Sequence, residues 1–240
     1  FYNVNEDYGS FKSTLPINKK VNEILEGASN EMDSISRLTH WVADNIRYSG
    51  LSMGEGEGYT LHKGSMTFRD RCGVCKDKAG MLITMLRAAG FESYAAMTMA
   101  GSRIEDIPAD QFNHSITVVK LSNGTYKLLD PTWVPFTREL WSSREQQQNY
   151  LMGLPEGADL MKTPVSSPDK HYFRMDLQTT IQENGNLKGT LSLEAEGQSD
   201  AAIRGSFTRS FKQEWRRLME QKLQALATDI RLDSLDFGNP

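Results

Sequence analysis

Apolar residues recur at helical spacing over 31–47, where Ile35, Leu38, Val42 and Ile46 form one stripe with Trp41 beside it. The pattern predicts a helix that stops before Gly50. Residues 75–89 carry the clearest helical signal. Ala79, Leu82, Ile83, Leu86 and Ala89 share a face, and Gly90 stands where a C-terminal cap belongs. Strand-like stretches follow at 94–99, 115–121 and 125–130. The last two flank Asn123-Gly124, a hairpin signal, and Pro131 ends the second. Between the two helices, residues 51–71 hold Gly54, Gly56, Gly58 and Gly64 and predict a loop, either a plain connector or the border of a site.

Residues 153–168 are punctuated by Gly153, Pro155, Gly157, Pro164 and Pro168 and read as a linker. The expected division is 1–165 as one domain and 166–240 as a smaller β-rich segment. In that segment Phe173, Met175, Leu177, Thr179 and Ile181 alternate with polar residues. The alternation resumes at Leu187, Gly189, Leu191 and Leu193 after a turn at Asn184-Gly185. One helix is expected over 205–227, with Phe207, Phe211, Trp215, Leu218 and Leu226 on one face.

A chain of 240 residues, 38 % hydrophobic, suits one large domain or one domain with a companion. A net charge of -4 without a lysine/arginine block argues against nucleic acid as a partner. No apolar run is long enough to span a membrane. The chain opens Phe1-Tyr2-Asn3, which reads as a processed protein or a fragment, so a missing leader says little about export. Residues 235–240 read as the start of a further strand, so 166–240 is expected to be part of a truncated C-terminal β domain. The two cysteines, Cys72 and Cys75, cannot build a disulfide scaffold or a four-cysteine zinc site, and the compartment stays open.

Cys75 falls at the start of the predicted helix of 75–89. Unpaired backbone N–H groups and the helix dipole favour an anion there and lower a thiol pKa, with Lys76 and Lys78 adding positive charge. Of the four histidines, His40 sits in the first helix and His171 beyond the linker. His62 lies in the glycine-rich loop, and His114 opens a strand that can face a cleft. Asp130 closes the strand paired with it, where a carboxylate can fix the imidazole tautomer. A two-residue turn on Asn123-Gly124 would put His114 and Asp130 on opposite faces. A three-residue loop, Ser122-Asn123-Gly124, puts Asp130 opposite Ile116 and on the face of His114. The second geometry is expected, with Gly124 left-handed. A competing reading makes Asp130 a turn residue ahead of Pro131.

The segments Val42-Ala43-Asp44-Asn45-Ile46-Arg47-Tyr48, Cys75-Lys76-Asp77-Lys78-Ala79, Leu86-Arg87-Ala88-Ala89-Gly90-Phe91, Asn113-His114-Ser115 and Leu129-Asp130-Pro131-Thr132 together resemble the transglutaminase-like superfamily, a papain-related group. The resemblance covers about residues 31–135 and implies an α+β fold, in which a helix-start cysteine packs on an antiparallel sheet. It implies Cys75 as nucleophile, His114 as general base and acid, and Asp130 as the orienting residue. It also implies export to the periplasm or cell surface, and likeness of the last segment to the β domain of bacterial multidomain members. Gly73-Val74 ahead of Cys75 departs from the small or acidic pair usual there.

The chemistry so implied is attack on a carboxamide or peptide bond of a protein or peptide substrate, through a Cys75 thioester and without metal or organic cofactor. Peptidase or amidase activity is favoured over cross-linking. The Cys75 N–H is one oxyanion donor, and His62 or Tyr59 is a candidate for the second. Three alternatives stand beside it: a C-x-x-C redox protein using Cys72 and Cys75, a catalytically retired binding module, and a zinc site from Cys72, Cys75, His62 and His114. The oligomeric state is open.

Overall fold

The structure, a computed structural model, describes residues 1–49, 58–107, 109–134, 140, 145–227 and 229–238. The chain divides into two compact units, Phe1–Ser166 and Ser167–Pro240.

The first unit opens with helices α1 (Tyr2–Tyr8), α2 (Leu15–Leu25) and α3 (Glu31–Asn45), then the short strand β1 (Arg47–Tyr48). Helix α4 (Gly64–Asp70), strand β2 (Cys72–Gly73) and helix α5 (Cys75–Ala88) follow. Strands β3 (Ser93–Thr98), β4 (His114–Lys120), β5 (Tyr126–Leu129), β6 (Asn149–Met152) and β7 (Met161–Lys162) complete it. This is an α+β arrangement built around α5. Every residue of α5 from 77 to 86 is buried, Asp77, Lys78 and Thr84 included, so the helix is enclosed on all sides and not along one stripe alone. Met81, Leu82, Met85 and Leu86 pack with Ile17 and Val21 of α2 and with Ile35, Leu38 and Val42 of α3. Burying each such side chain stabilises by about 1.5–3 kcal/mol. On the other flank the Thr117 hydroxyl of β4 donates to the Ala79 carbonyl at 3.2 Å. The sheet runs β5-β4-β3-β6-β7 and is antiparallel throughout.

The β4–β5 hairpin fixes what lies at its open end. Thr117 pairs with Leu129 and Lys120 with Tyr126. Leu121 and Thr125 close a three-residue loop, the Leu121 N–H donating to the Thr125 carbonyl at 2.8 Å. Gly124 has a φ of 83°, the left-handed position such a loop demands. This is the expected register, and it puts Asp130 opposite Ile116.

Several elements differ from the pattern-based expectation. Within the stretch read as a loop, residues 64–70 form α4. The glycines masked its one strong anchor, Phe68, which stacks on Trp41 with ring centroids 5.8 Å apart. The Arg71 guanidinium caps both rings, 4.8 Å from Trp41 and 4.2 Å from Phe68. Gly50, Gly54 and Gly56 lie outside the described residues. The stretch read as a linker contains β7, because Met161 packs on Tyr150 and the Thr163 N–H donates to the Gln148 carbonyl at 2.8 Å.

In the second unit, β8 (Phe173–Ile181) and β9 (Leu187–Ala195) pair along their full length as the alternation indicates. The expected long helix is instead α6 (Gly197–Thr208), a single 3-10 turn at Lys212–Glu214, and α7 (Trp215–Leu223). Ser206, Thr208 and Ser210 each turn their hydroxyls back onto helix carbonyls, competing with the backbone ladder where the helix ends. Phe211 falls in the break and is 82 % exposed, so it leaves the stripe that Phe207, Trp215, Met219 and Leu223 share.

Candidate active site

Cys75 is the first residue of α5. The strand β2 leads into it, and Val74 in extended conformation (φ -90°, ψ -173°) turns the chain into the helix. Asp77 caps this start: its Oδ2 accepts the Val74 N–H at 2.9 Å, and its Oδ1 meets His62 Nδ1 at 2.9 Å. Gly73 leaves room for that cap. A Cβ on Gly73 would lie 2.4 Å from the Asp77 Cβ, which is not a movable chain end. Gly73→Ala is therefore expected to destabilise the fold by about 1–3 kcal/mol, read as a lowered Tm in thermal unfolding. An unchanged Tm would show that the cap can shift freely.

His114 and Asp130 stand on one face of the β4–β5 hairpin, 7 % and 0 % exposed. His114 Nε2 lies 2.8 Å from Asp130 Oδ2. The other oxygen, Oδ1, accepts the Thr132 N–H at 2.9 Å, so Asp130 also makes the turn ahead of Pro131 and Thr132. Both readings of this aspartate hold at once. The Cys75 thiol and the His114 imidazole act on each other's ionisation, and with Nε2 engaged by Asp130 the ring has Nδ1 left for the sulfur. The Trp133 ring tilts against the imidazole, centroids 6.4 Å apart, and covers it.

The electrostatics follow from these contacts. Burial raises the Cys75 thiol pKa. The hydrogen bond and charge of His114, together with the backbone N–H groups of Ser115 and Lys76, outweigh burial and leave the thiol below its usual value. Burial likewise opposes a charged His114. The charge and hydrogen bond of Asp130, then the contact with Cys75, overcome it and hold the imidazole well above its ordinary value. The thiol goes down and the imidazole goes up, which favours a thiolate–imidazolium pair.

A fourth group was missed at the sequence level. The Tyr48 side chain, at the end of β1, interacts with Cys75 at the helix start. Burial, then the neighbouring Cys75 charge, raises the Tyr48 pKa. β1 and β2 run parallel, with Tyr48 beside Gly73, which carries the phenol to the helix start. The two residues named as candidate second donors are engaged elsewhere. His62 pairs with Asp77, and burial and the neighbouring Asp110 carboxylate raise the Tyr59 pKa to about 12.

Cys72 and Cys75 are both half-buried and are not joined to each other. The antiparallel sheet does not supply the βαβ setting of a thioredoxin-type C-x-x-C. Cys72, Cys75, His62 and His114 do not converge as a metal site. Among the described residues, the cluster of potential ligands is His114, Asp130 and buried Glu145, with ligand atoms within 4.8 Å of one another.

The chain has no match among curated proteins. A candidate cysteine protease from Cytophaga hutchinsonii is 17 % identical, with a TM-score of 0.42 over 77 % of this chain and 52 % of that one. A candidate protease from Parabacteroides distasonis is 15 % identical, with a TM-score of 0.49 over 74 % of this chain and 36 % of that one. The periplasmic domain of TgpA from Pseudomonas aeruginosa is 17 % identical, with a TM-score of 0.37 over 52 % of this chain and 47 % of that domain. The chain thus spans about half or less of the length of each. Residues 18–136 match the model of the Transglutaminase-like superfamily. Through that segment, which contains Cys75, Tyr48, His114 and Asp130, the chain belongs to the transglutaminase-like superfamily.

Proposed function

We propose that this chain is a thiol-dependent amide-bond hydrolase or acyltransferase, acting on a protein or peptide through a thioester on Cys75. The observation that carries the reading is the convergence of thiol, imidazole and buried carboxylate, with His114 Nε2 2.8 Å from Asp130 Oδ2 and the imidazole acting on the Cys75 thiol. In this reading His114 Nδ1 holds the thiol proton as imidazolium, and Asp130 keeps the ring in place and stabilises its charge. The thiolate attacks the carbonyl carbon, and the oxygen becomes an oxyanion. The Cys75 N–H donates to it. The Tyr48 hydroxyl, which interacts with Cys75, can donate the second hydrogen bond. His114 then gives its proton to the leaving amine as the carbon–nitrogen bond breaks. Water resolves the thioester to an acid, or an amine resolves it to a new amide.

The test is mass spectrometry of the chain incubated with glutamine-containing peptides, with and without an added primary amine. An acyl adduct on the peptide that contains Cys75 is the expected result. Deamidation or backbone cleavage then identifies a hydrolase, and amine incorporation a transferase. No adduct and no peptide product would overturn the proposal in favour of a retired catalytic fold.

A further inference from the structure

Lys78 lies one helical turn beyond Cys75 on α5 and is 2 % exposed. Its Nζ donates to the carbonyls of Ala43 at 2.9 Å and Ile46 at 2.6 Å. These carbonyls close the C-terminal end of α3, which finishes on Ile46 in extended conformation (φ -109°, ψ 103°) without a glycine cap. Two residues later the chain reaches Tyr48, which pairs with Gly73 of β2 just ahead of Cys75 and interacts with that cysteine. Cys75, Lys78, Ile46 and Tyr48 are therefore linked through α5, the Lys78–Ile46 hydrogen bond and the β1–β2 pair.

We propose that Lys78 is a positioning residue for acyl transfer: by gripping the Ala43 and Ile46 carbonyls it fixes β1, and with it the Tyr48 hydroxyl, over the start of α5. This rests on the function proposed above. β1 itself is only two residues long. It is held by Arg47 N–H to the Arg71 carbonyl and Ser49 N–H to the Gly73 carbonyl, both at 2.9 Å. A ladder this short sets the strand direction weakly, and the lysine adds an anchor from the helix that carries the sulfur.

Burial pulls the Lys78 pKa down to about 8, against the attraction of Asp130 and Asp44. Removing the ammonium alone leaves the Ala43 and Ile46 carbonyls without this donor, which lowers stability as well as loosening β1, so the alkylation rate serves as the readout of an intact fold. A methionine would fill the volume and drop the grip on the two carbonyls. What the ammonium adds is a rigid tie between the nucleophile's helix and the strand that bears the phenol.

Two reagents separate the roles. Iodoacetamide alkylates a thiolate by displacing iodide as the sulfur–carbon bond forms, with no oxyanion on the path. p-Nitrophenyl acetate acylates it through a tetrahedral oxyanion that expels p-nitrophenolate. Tyr48→Phe is expected to slow acylation about 100-fold and leave alkylation within about threefold. Lys78→Met is expected to slow acylation at least about tenfold, again sparing alkylation, and Lys78→Gln, which keeps one donor, to fall between. In the double variant Lys78→Met has nothing left to position, so its rate should match Tyr48→Phe alone within about threefold.

Acylation of Lys78→Met at the unaltered rate would overturn the inference. So would a parallel loss of alkylation, or full additivity with Tyr48→Phe. If neither Lys78 variant folds by circular dichroism, the lysine serves the fold first and the inference also fails. A natural chain that is alkylated but never acylated at Cys75 would instead overturn the proposed function, and this inference with it.

Discussion

Cys75→Ala is expected to abolish covalent capture of p-nitrophenyl acetate and of glutamine peptides, a loss on the order of 10⁴-fold or more. Nothing else in the site can take over the attack: the Tyr48 phenol has its pKa raised, and Lys78 is buried with its ammonium turned onto backbone carbonyls. Cys72→Ser is the matched control. Cys72 sits in β2 opposite Arg47, and the interactions that lower the Cys75 thiol come from His114, Ser115 and Lys76. The serine variant should keep rates within about threefold, the range of a surface-type substitution. Stopped-flow release of p-nitrophenolate with both variants checks this. A collapse on changing Cys72 alone would restore the redox reading.

Asp130→Asn should cost about 10³–10⁴-fold in acylation, because an amide neither stabilises the imidazolium nor holds its tautomer. The direction of the pH effect follows from the groups involved. The charge of Asp130 is what overcomes burial and lifts the His114 pKa, so removing it lowers that pKa. The imidazolium beside the sulfur is then lost at lower pH, and the thiol pKa rises from its depressed value. In the natural chain, iodoacetamide labelling of Cys75 should persist below the ordinary thiol range, near pH ~8.5. In Asp130→Asn its midpoint should climb to that range or above. Superimposable labelling curves would show that the carboxylate does not act through the imidazole.

How far the sequence spoke depended on the range of each interaction. Cys75 was legible because a helix start is a local event, marked by the apolar stripe that follows. His114 and Asp130 were legible because one hairpin joins them and its turn residues set the register. Tyr48 was not, since its side chain reaches Cys75 across a parallel strand pair of two residues, too short to leave any periodicity. Its sequence signal was an aromatic residue two positions past a helix end. Lys78 was read only as positive charge near the thiol, whereas burial turns it inward onto α3. His62 was placed at the rim as a donor, but the cap residue Asp77 claims it. Helix α4 was hidden by flanking glycines, because stacking of Phe68 on Trp41 is a tertiary contact that no local propensity reports.

The three-residue turn Ser122-Asn123-Gly124 has a consequence that reaches well beyond its exposed position. A strand alternates its side chains, so the turn acts as a parity setting for the hairpin's far end. A turn of odd length presents Asp130 to His114, and an even one would swing the carboxylate to the reverse side while every residue of the triad remained in the sequence. A change of length in this solvent-facing tip would thus part His114 from Asp130, some five residue pairs away. A relative bearing an intact cysteine, histidine and aspartate but a turn longer or shorter by one would keep the letters of the site and lose its geometry.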